Sequence, residues 1–182
     1  MTVVNGKSLL SAAPIKDMLD RKAQHNGVSH GLSEAGYDIR LKQNIYYKPA
    51  TWRKKAIIKV FDGDYQDDWH GPSLYNTTKT EVTGRFTLAS AVEEFQMPDD
   101  LVGVVHDKST WARQSLSVFN TVIEPGWKGF LTLELVFHGD AEVTLLSGSG
   151  IAQVLFHRLE RPAEYAGKYQ NQEDEPVRSR FA

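Results

Sequence analysis

The segment from Val105 to Leu135 concentrates side chains that could act on a phosphorylated substrate. Its first part, Lys108–Arg113, places an ammonium, two hydroxyls and a guanidinium close together in the chain. Such groups bind polyphosphate oxygens through charge-assisted and neutral hydrogen bonds. The segment therefore predicts a binding site for phosphate groups.

A carboxylate follows on a predicted strand. Residues 131–135 (LTLEL) alternate between leucine and a polar residue, which sets Thr132 and Glu134 on the face opposite the leucines. A tight turn, Ile123–Gly129, comes just before. In partly apolar surroundings the pKa of such a carboxylate rises, so that it can act as a general base for water. Glu134 is therefore the candidate catalytic base.

Short strands must position these residues. β-type runs separated by turn residues predict strands at Tyr37–Leu41, Ala56–Phe61, Arg85–Ser90, Val102–His106, Ser115–Asn120, Phe130–Phe137, Glu142–Leu146 and Ile151–Leu159. Because no helices alternate with them, the chain is predicted to be mainly β, as an antiparallel sandwich or barrel.

The two ends and one internal segment differ from this pattern. Ile15, Met18 and Leu19 recur at helical spacing between Ser11 and Gln24, with Pro14 in the first turn and Asn26-Gly27 as a stop, so residues 1–27 are predicted to hold one short helix. The polar segment Asp62–Lys79 is predicted to be a surface insertion. The polar tail, residues 163–182, is predicted to be mobile and to close on the site as a lid.

Composition limits the class of protein. A chain of 182 residues with 41% hydrophobic residues suits a single domain, residues 1–182. The formal net charge of −2 argues against nucleic acid as a partner. The absence of cysteine excludes thiolate metal sites and fits a cytoplasmic protein. With no signal peptide and no long apolar run, no membrane association is expected.

Three motifs, KST-W-AR from Lys108, IEPGWKG from Ile123 and TLEL from Thr132, occur in the order found in dCTP deaminases, relatives of the trimeric dUTPases. Four more segments resemble the same family: Gly36–Leu41, Pro98–Gly103, Gly150–Gln153 and Gly167–Gln172. The resemblance extends from about Tyr37 to Arg180, most of the chain. It implies a dUTPase-like distorted antiparallel β-barrel or jelly roll with a short N-terminal helix, assembled as a homotrimer with sites between subunits.

The resemblance also implies an activity, the hydrolytic deamination of dCTP to dUTP and ammonia. Glu134 would be the base, and Arg113 and Ser109 would orient the base, the water and the developing charge. Mg²⁺ would enter bound through the substrate triphosphate. The remaining expected substrate contacts come from Lys108–Arg113, called the phosphate segment below, from the hairpin expected to contact the pyrimidine, and from the tail. They are Lys108, Thr110, Thr121, Val122, Glu124, Tyr165, Lys168 and Gln172.

A zinc-dependent deaminase scheme does not fit the sequence. Zinc deaminases hold their metal with His and Cys beside a catalytic Glu. This chain has no cysteine, and its histidines show neither the H-x-E pattern nor the paired spacing of a zinc helix. No zinc and no protein-held metal site are therefore expected.

The chain departs from its relatives near the pyrimidine. Glu124 stands where the family usually has Asp, which weakens a pure dUTPase interpretation, because small misplacements are costly in catalysis. The stretch between Arg113 and Ile123 is shorter than usual and offers Asn120–Val122 in place of a Thr-Ala pair. Ala112, where bifunctional deaminase-dUTPases often have Gly, favours a deaminase without the second activity.

Two alternatives remain open from the sequence. One is a dUTP pyrophosphatase, alone or following deamination, in which Glu124 and Glu134 activate water together. The other is a catalytically inactive nucleotide-binding regulatory protein that keeps the fold and the phosphate site.

Overall fold

The computed structural model describes residues 2–48, 57–61 and 78–181. In chain order its elements are β1 (Val3–Val4), α1 (Gly6–Ala12), β2 (Lys22–His25), β3 (Val28–Leu32), β4 (Tyr37–Arg40), β5 (Asn44–Lys48), β6 (Ile57–Phe61), β7 (Thr78–Thr83), β8 (Phe86–Gln96), β9 (Leu101–Asp107), α2 (Ser109–Ala112), β10 (Leu116–Val118), β11 (Val122–Ile123), β12 (Lys128–Phe137), β13 (Val143–Leu145) and β14 (Gly150–Arg158).

The strands form three antiparallel sheets. The largest has the order β11-β9-β14-β4-β3-β2, with β1 also paired to β14. The second has the order β10-β12-β8, and the third the order β13-β5-β6-β7. The predicted mainly β fold is thereby confirmed. Strand β12 lies in the middle of the second sheet, so the candidate base Glu134 is on a strand that is paired on both sides.

Alternating burial along the long strands forms the core. In β9, Leu101, Gly103 and Val105 are buried while the residues between them are partly exposed. Strands β8, β12 and β14 contribute buried residues in the same way, including Phe95, Leu135 and Phe156. Each sheet buries one of its faces against the other sheets. This burial of apolar surface makes the main favourable contribution to the free energy of folding.

The N-terminal helix exists, but its predicted position is wrong. It spans Gly6–Ala12 and ends with Ala13 in the left-handed conformation. After Pro14 the chain is not helical: Ile15 forms an isolated antiparallel bridge with Phe95 in β8, and the amide of Lys16 donates to the Glu94 carbonyl at 2.9 Å. Pairing with β8 therefore outweighs the helical spacing of the apolar side chains.

Residues 22–25, predicted as the end of that helix, instead form β2 and pair with β3. The two strands are joined by Asn26-Gly27, both with positive φ (50° and 73°). This conformation is the usual two-residue connection of a β-hairpin, and Asn-Gly is its preferred sequence. The dipeptide is therefore a hairpin turn and not a helix stop.

The eight predicted strands each overlap an observed one, although β8 continues to Gln96, well past the predicted Ser90. Strands β1, β2, β3, β5, β7 and β11 were not predicted. Most of the predicted insertion Asp62–Lys79 lies outside the described residues, and its last residues belong to β7. In the part of the chain that the structure describes, no helix is long and apolar enough to cross a membrane.

Candidate active site

Glu134 projects into a cavity of about 560 Å³ beside the second sheet. Its backbone pairs with Leu88 of β8, and its carbonyl accepts the Phe119 amide at 2.9 Å. The neighbouring Leu133 and Leu135 are buried in the core, which places Glu134 on the opposite face. A cavity of this size is in the range that holds a small ligand.

Leu131 does not follow the predicted alternation. It lines the cavity together with Thr132 and Glu134, whereas Leu133 and Leu135 face the core. The register of β12 against β8 shifts between Phe130 and Thr132. Across this shift β12 advances by two residues while β8 advances by four, from Glu94 to Ser90, so the bulge lies on β8 and the regular pairing is interrupted beside Leu131.

The carboxyl group of Glu134 is half-buried, and burial raises its pKa above 4.5, the ordinary value. Its Oε2 atom is inaccessible and has no hydrogen-bond partner among the described residues. A buried acceptor without a donor is costly, and such groups occur at sites that bind a ligand or another donor. Glu134 has the surroundings of a base whose partner arrives with the substrate or with another chain.

The hairpin before β12 forms one wall of the cavity. Thr121, Val122 and Glu124, which the resemblance named as expected substrate contacts, all line it. Strand β11 is held to β9, with Ile123 opposite Gly103, and the Thr121 carbonyl accepts the Val105 amide at 3.0 Å. Val122 is 55% exposed, so an apolar side chain is free to contact a ligand.

The C-terminal tail forms a second wall. Tyr165 and Gln172 line the cavity, together with Tyr169 and residues 177–179. Gln172 forms an isolated parallel bridge with Gly129, and its carbonyl accepts the Phe130 amide at 3.0 Å. Lys168 lies elsewhere: its ammonium is exposed and donates to the carbonyl of Arg180.

The phosphate segment is not among the described residues that line this cavity. Ser109, Thr110 and Arg113 are exposed on or beside the short helix α2. On its buried side the helix is held by Trp111, whose indole N–H donates to the Gly150 carbonyl at 2.7 Å. One chain thus brings Glu134, Thr121, Val122, Glu124, Tyr165 and Gln172 to one cavity, and leaves Lys108, Ser109, Thr110 and Arg113 outside it.

Several lining residues were not predicted. Phe86 and Leu88 come from β8, Trp127 from the turn, and Tyr169 and Arg178 from the tail. The alternation of Phe86 and Leu88 with buried Thr87 and Ala89 could have placed them on the outer face. Their nearness to Glu134 depends on the pairing of β8 with β12, which sequence spacing does not reveal.

Among the described residues, no group of three or more acidic or histidine side chains could hold a metal ion. The cavity wall is instead largely apolar and aromatic, with Glu134, Glu124 and Arg178 as its charged groups. This lining suits a planar ring held between apolar side chains, with few polar groups to orient it.

Comparison with known proteins matches residues 9–159 to the dCTP deaminase-like family. A dCTP deaminase of Erythrobacter litoralis is 34% identical over 187 residues, which cover 94% of this chain and 96% of the relative. A dCTP deaminase of Campylobacter fetus subsp. fetus is 37% identical over 153 residues, covering 80% of this chain and 78% of the relative. The matched range, residues 9–159, contains Ser109, Arg113 and Glu134.

A solved structure is also similar. The crystal structure of 2'-deoxycytidine 5'-triphosphate deaminase from Agrobacterium tumefaciens matches with a TM-score of 0.54 at 17% identity, covering 87% of this chain and 49% of that chain. At this level of identity the likeness concerns the fold alone. It agrees with the distorted antiparallel β architecture that the motifs predicted.

Proposed function

Since this chain belongs to the dCTP deaminase-like family, we propose that it catalyses the hydrolytic deamination of dCTP to dUTP and ammonia. The observation that carries the proposal is the half-buried carboxyl group of Glu134, which has a raised pKa and an unpaired oxygen in a cavity of nucleotide size. A carboxylate in such surroundings is suited to take a proton from water near neutral pH.

The chemical step follows from this placement. Glu134 accepts a proton from a water molecule, and the oxygen of that water attacks the ring carbon that bears the amino group. The carboxyl group then returns this proton to the amino nitrogen, and the carbon–nitrogen bond breaks. The two protons of the water end on the leaving ammonia and on the adjacent ring nitrogen, so that a uracil ring remains. One carboxyl group serves as base and then as acid.

Among the described residues that line the cavity, Arg178 is the one fixed cation, which is too little positive charge for a substrate triphosphate. We propose that Mg²⁺ enters with the substrate, bound to phosphate oxygens and not to a protein site. The predicted phosphate contacts of Lys108, Ser109 and Thr110, and those of Lys168 and Gln172 from the tail, belong to this proposal.

The cytoplasmic location expected from the lack of cysteine likewise stays a prediction.

The separation of Arg113 and Ser109 from Glu134 favours an assembly. A second copy of the chain could place its exposed α2 at the open side of the cavity and supply both a guanidinium and a hydroxyl to the carboxyl group of Glu134. We propose that the protein is a homotrimer with three such shared sites, because a closed ring lets every chain give one surface and receive the other.

The test is incubation of the purified protein with dCTP and Mg²⁺, with nucleotides and ammonia resolved by chromatography. The parent is expected to release ammonia and dUTP in equal amounts, and Glu134→Gln to lower kcat by about 10²- to 10⁴-fold. Glu160→Gln makes the same chemical change at an exposed residue outside the cavity and serves as the control.

The products also separate the alternatives. Pyrophosphate and dUMP released from added dUTP, with no ammonia from dCTP, would replace deamination by pyrophosphatase activity. Nucleotide binding without any product would support an inactive binding protein.

A further inference from the structure

The hydroxyl group of Thr132 receives two hydrogen bonds from the C-terminal tail. The side-chain amide of Gln172 donates to Thr132 Oγ1, and the backbone amide of Val177 donates to the same oxygen at 3.0 Å. A hydroxyl oxygen has two lone pairs, so both acceptor positions are used. A single side chain on β12 therefore joins two separate points of the tail.

Thr132 lies on the same face of β12 as Glu134 and two residues before it, a separation of about 7 Å along a strand. Both side chains line the cavity. The bulge on β8 interrupts the regular register of the two strands between Phe130 and Thr132. The tail is thus attached directly to the strand that carries the proposed base.

Contacts between the tail and β12 before Val177 end at Gln172, and Lys42 holds the next part of the tail through the carbonyl of Asp174 at 2.7 Å and its carboxylate at 2.6 Å. The Asn171 amide donates to the Lys128 carbonyl at 2.9 Å, and the Gln172 carbonyl accepts the Phe130 amide. In the described part of the chain, the hydrogen bond from Val177 to Thr132 is the contact that ties residues 173–179 back to β12. Val177, Arg178 and Ser179 line the cavity beyond that bond.

From these contacts we propose that Thr132 is a positioning residue that fastens the C-terminal tail across the cavity above Glu134. The tail then closes the cavity over the nucleotide, and the hydroxyl group of Thr132 sets how often it opens. This inference rests on the proposed function, because it concerns retention of the nucleotide at the same site. It adds a residue that acts through the tail and not on the reacting atoms.

The test compares Thr132→Val, which keeps the branched shape but lacks the hydroxyl, with Thr132→Ser, which retains it. Hydrogen exchange of the Val177 amide, measured without nucleotide, is expected to speed up by about tenfold in Thr132→Val as the tail opens more often. Thr132→Ser is expected to restore slow exchange. Thr144→Val, on β13 outside the cavity, is the matched control.

Steady-state kinetics on the same variants gives the second readout. Because the tail retains the nucleotide in both ground and transition states, Thr132→Val is expected to raise KM for dCTP by about tenfold with kcat nearly unchanged. A general loss of folding would instead lower the melting temperature and kcat together.

The outcomes separate the two proposals. Unchanged exchange in Thr132→Val, or exchange in Thr132→Ser as fast as in Thr132→Val, overturns the positioning role. Fast exchange with an unchanged KM overturns the link to nucleotide retention. If the parent releases no ammonia while Thr132→Val still loosens the tail and weakens nucleotide binding, the deaminase function fails and the role of Thr132 stands.

Discussion

Lys108 and Asp38 form a buried ion pair, with Nζ 2.5 Å from Oδ2 and side chains that are 10% and 4% exposed. Asp38 also accepts hydrogen bonds from the Ser29 hydroxyl at 3.3 Å and from the Gln153 amide at 3.2 Å. Lys108 is the residue before α2, so the pair fixes the beginning of that helix to β4. In this chain the ammonium that is proposed to contact phosphates is therefore paired with a carboxylate.

Asp38→Asn is expected to destabilise the protein by about 3–5 kcal/mol, because it leaves the buried ammonium of Lys108 without its counter-charge. Urea unfolding followed by far-ultraviolet circular dichroism measures the effect. The double variant with Lys108→Met should recover much of the loss. Glu34→Gln removes an exposed partner of Lys22 and should leave the free energy of unfolding unchanged. A loss in Asp38→Asn no larger than in Glu34→Gln would contradict the prediction.

Glu134→Gln is expected to stabilise the fold at neutral pH while it removes activity. Burial raises the pKa of Glu134 in the folded chain above 4.5, so the fold favours the protonated form. That favourable contribution is present below about pH 4.5 and is lost as the pH rises through the folded-state pKa.

The variant should therefore melt above the parent near pH 7.5. The two proteins should converge near pH 4. Melting curves between pH 4 and pH 8 measure the difference, and a gain that is independent of pH would mean that ionisation of Glu134 is not its cause.

Subunit mixing tests whether two chains share each site. Glu134→Gln and Arg113→Ala chains carrying different affinity tags are co-expressed, and the mixed assembly is isolated through both tags. If Glu134 and Arg113 of different chains meet, each mixed trimer isolated through both tags re-forms one of its three sites with both native residues, and about a third of the parent activity returns. A chain with both changes is the control. Mixed assemblies as inactive as this control would mean that different chains do not share the site.

Gly129→Ala is expected to displace the tail. Gly129 has a φ of 130°, and a Cβ atom there would lie 2.5 Å from both the amide nitrogen and the carbonyl oxygen of Gln172. Strain in this backbone region costs about 1–3 kcal/mol, and the clash breaks the bridge between Gly129 and Gln172. Tryptic cleavage after Lys168 should accelerate, and KM for dCTP should rise. Gly84 also has a positive φ, but a Cβ atom there would meet no atom within 4 Å. Gly84→Ala is therefore the control for backbone strain without displacement of the tail.

The parts of the fold that the sequence predicted are those set by local pattern. The predicted strands include β9, β12 and β14, whereas Thr121, Val122 and Glu124, which line the cavity with Glu134, were named through the resemblance. Asn26-Gly27 contained a hairpin signal that was interpreted as a helix stop, because the helical spacing of Ile15, Met18 and Leu19 was given more weight.

Other features depend on contacts that are distant in the chain. No local pattern indicates that Gln172 lies against Gly129, or that Asp38 in the motif Gly36–Leu41 pairs with Lys108. The exposed position of α2 depends on where Trp111 packs, against Gly150. These arrangements arise from the docking of whole strands, and a site between chains is expected only from the resemblance.

The indole of Trp127 gives the molecule an intrinsic optical signal. It is 5% exposed, packs 6.0 Å from the Phe95 ring, and donates its N–H to the Tyr169 carbonyl at 2.6 Å. When the tail leaves, this indole loses a hydrogen bond and gains water, so its emission should shift to longer wavelength. Fluorescence of the unlabelled protein can therefore report in real time the opening and closing of the cavity.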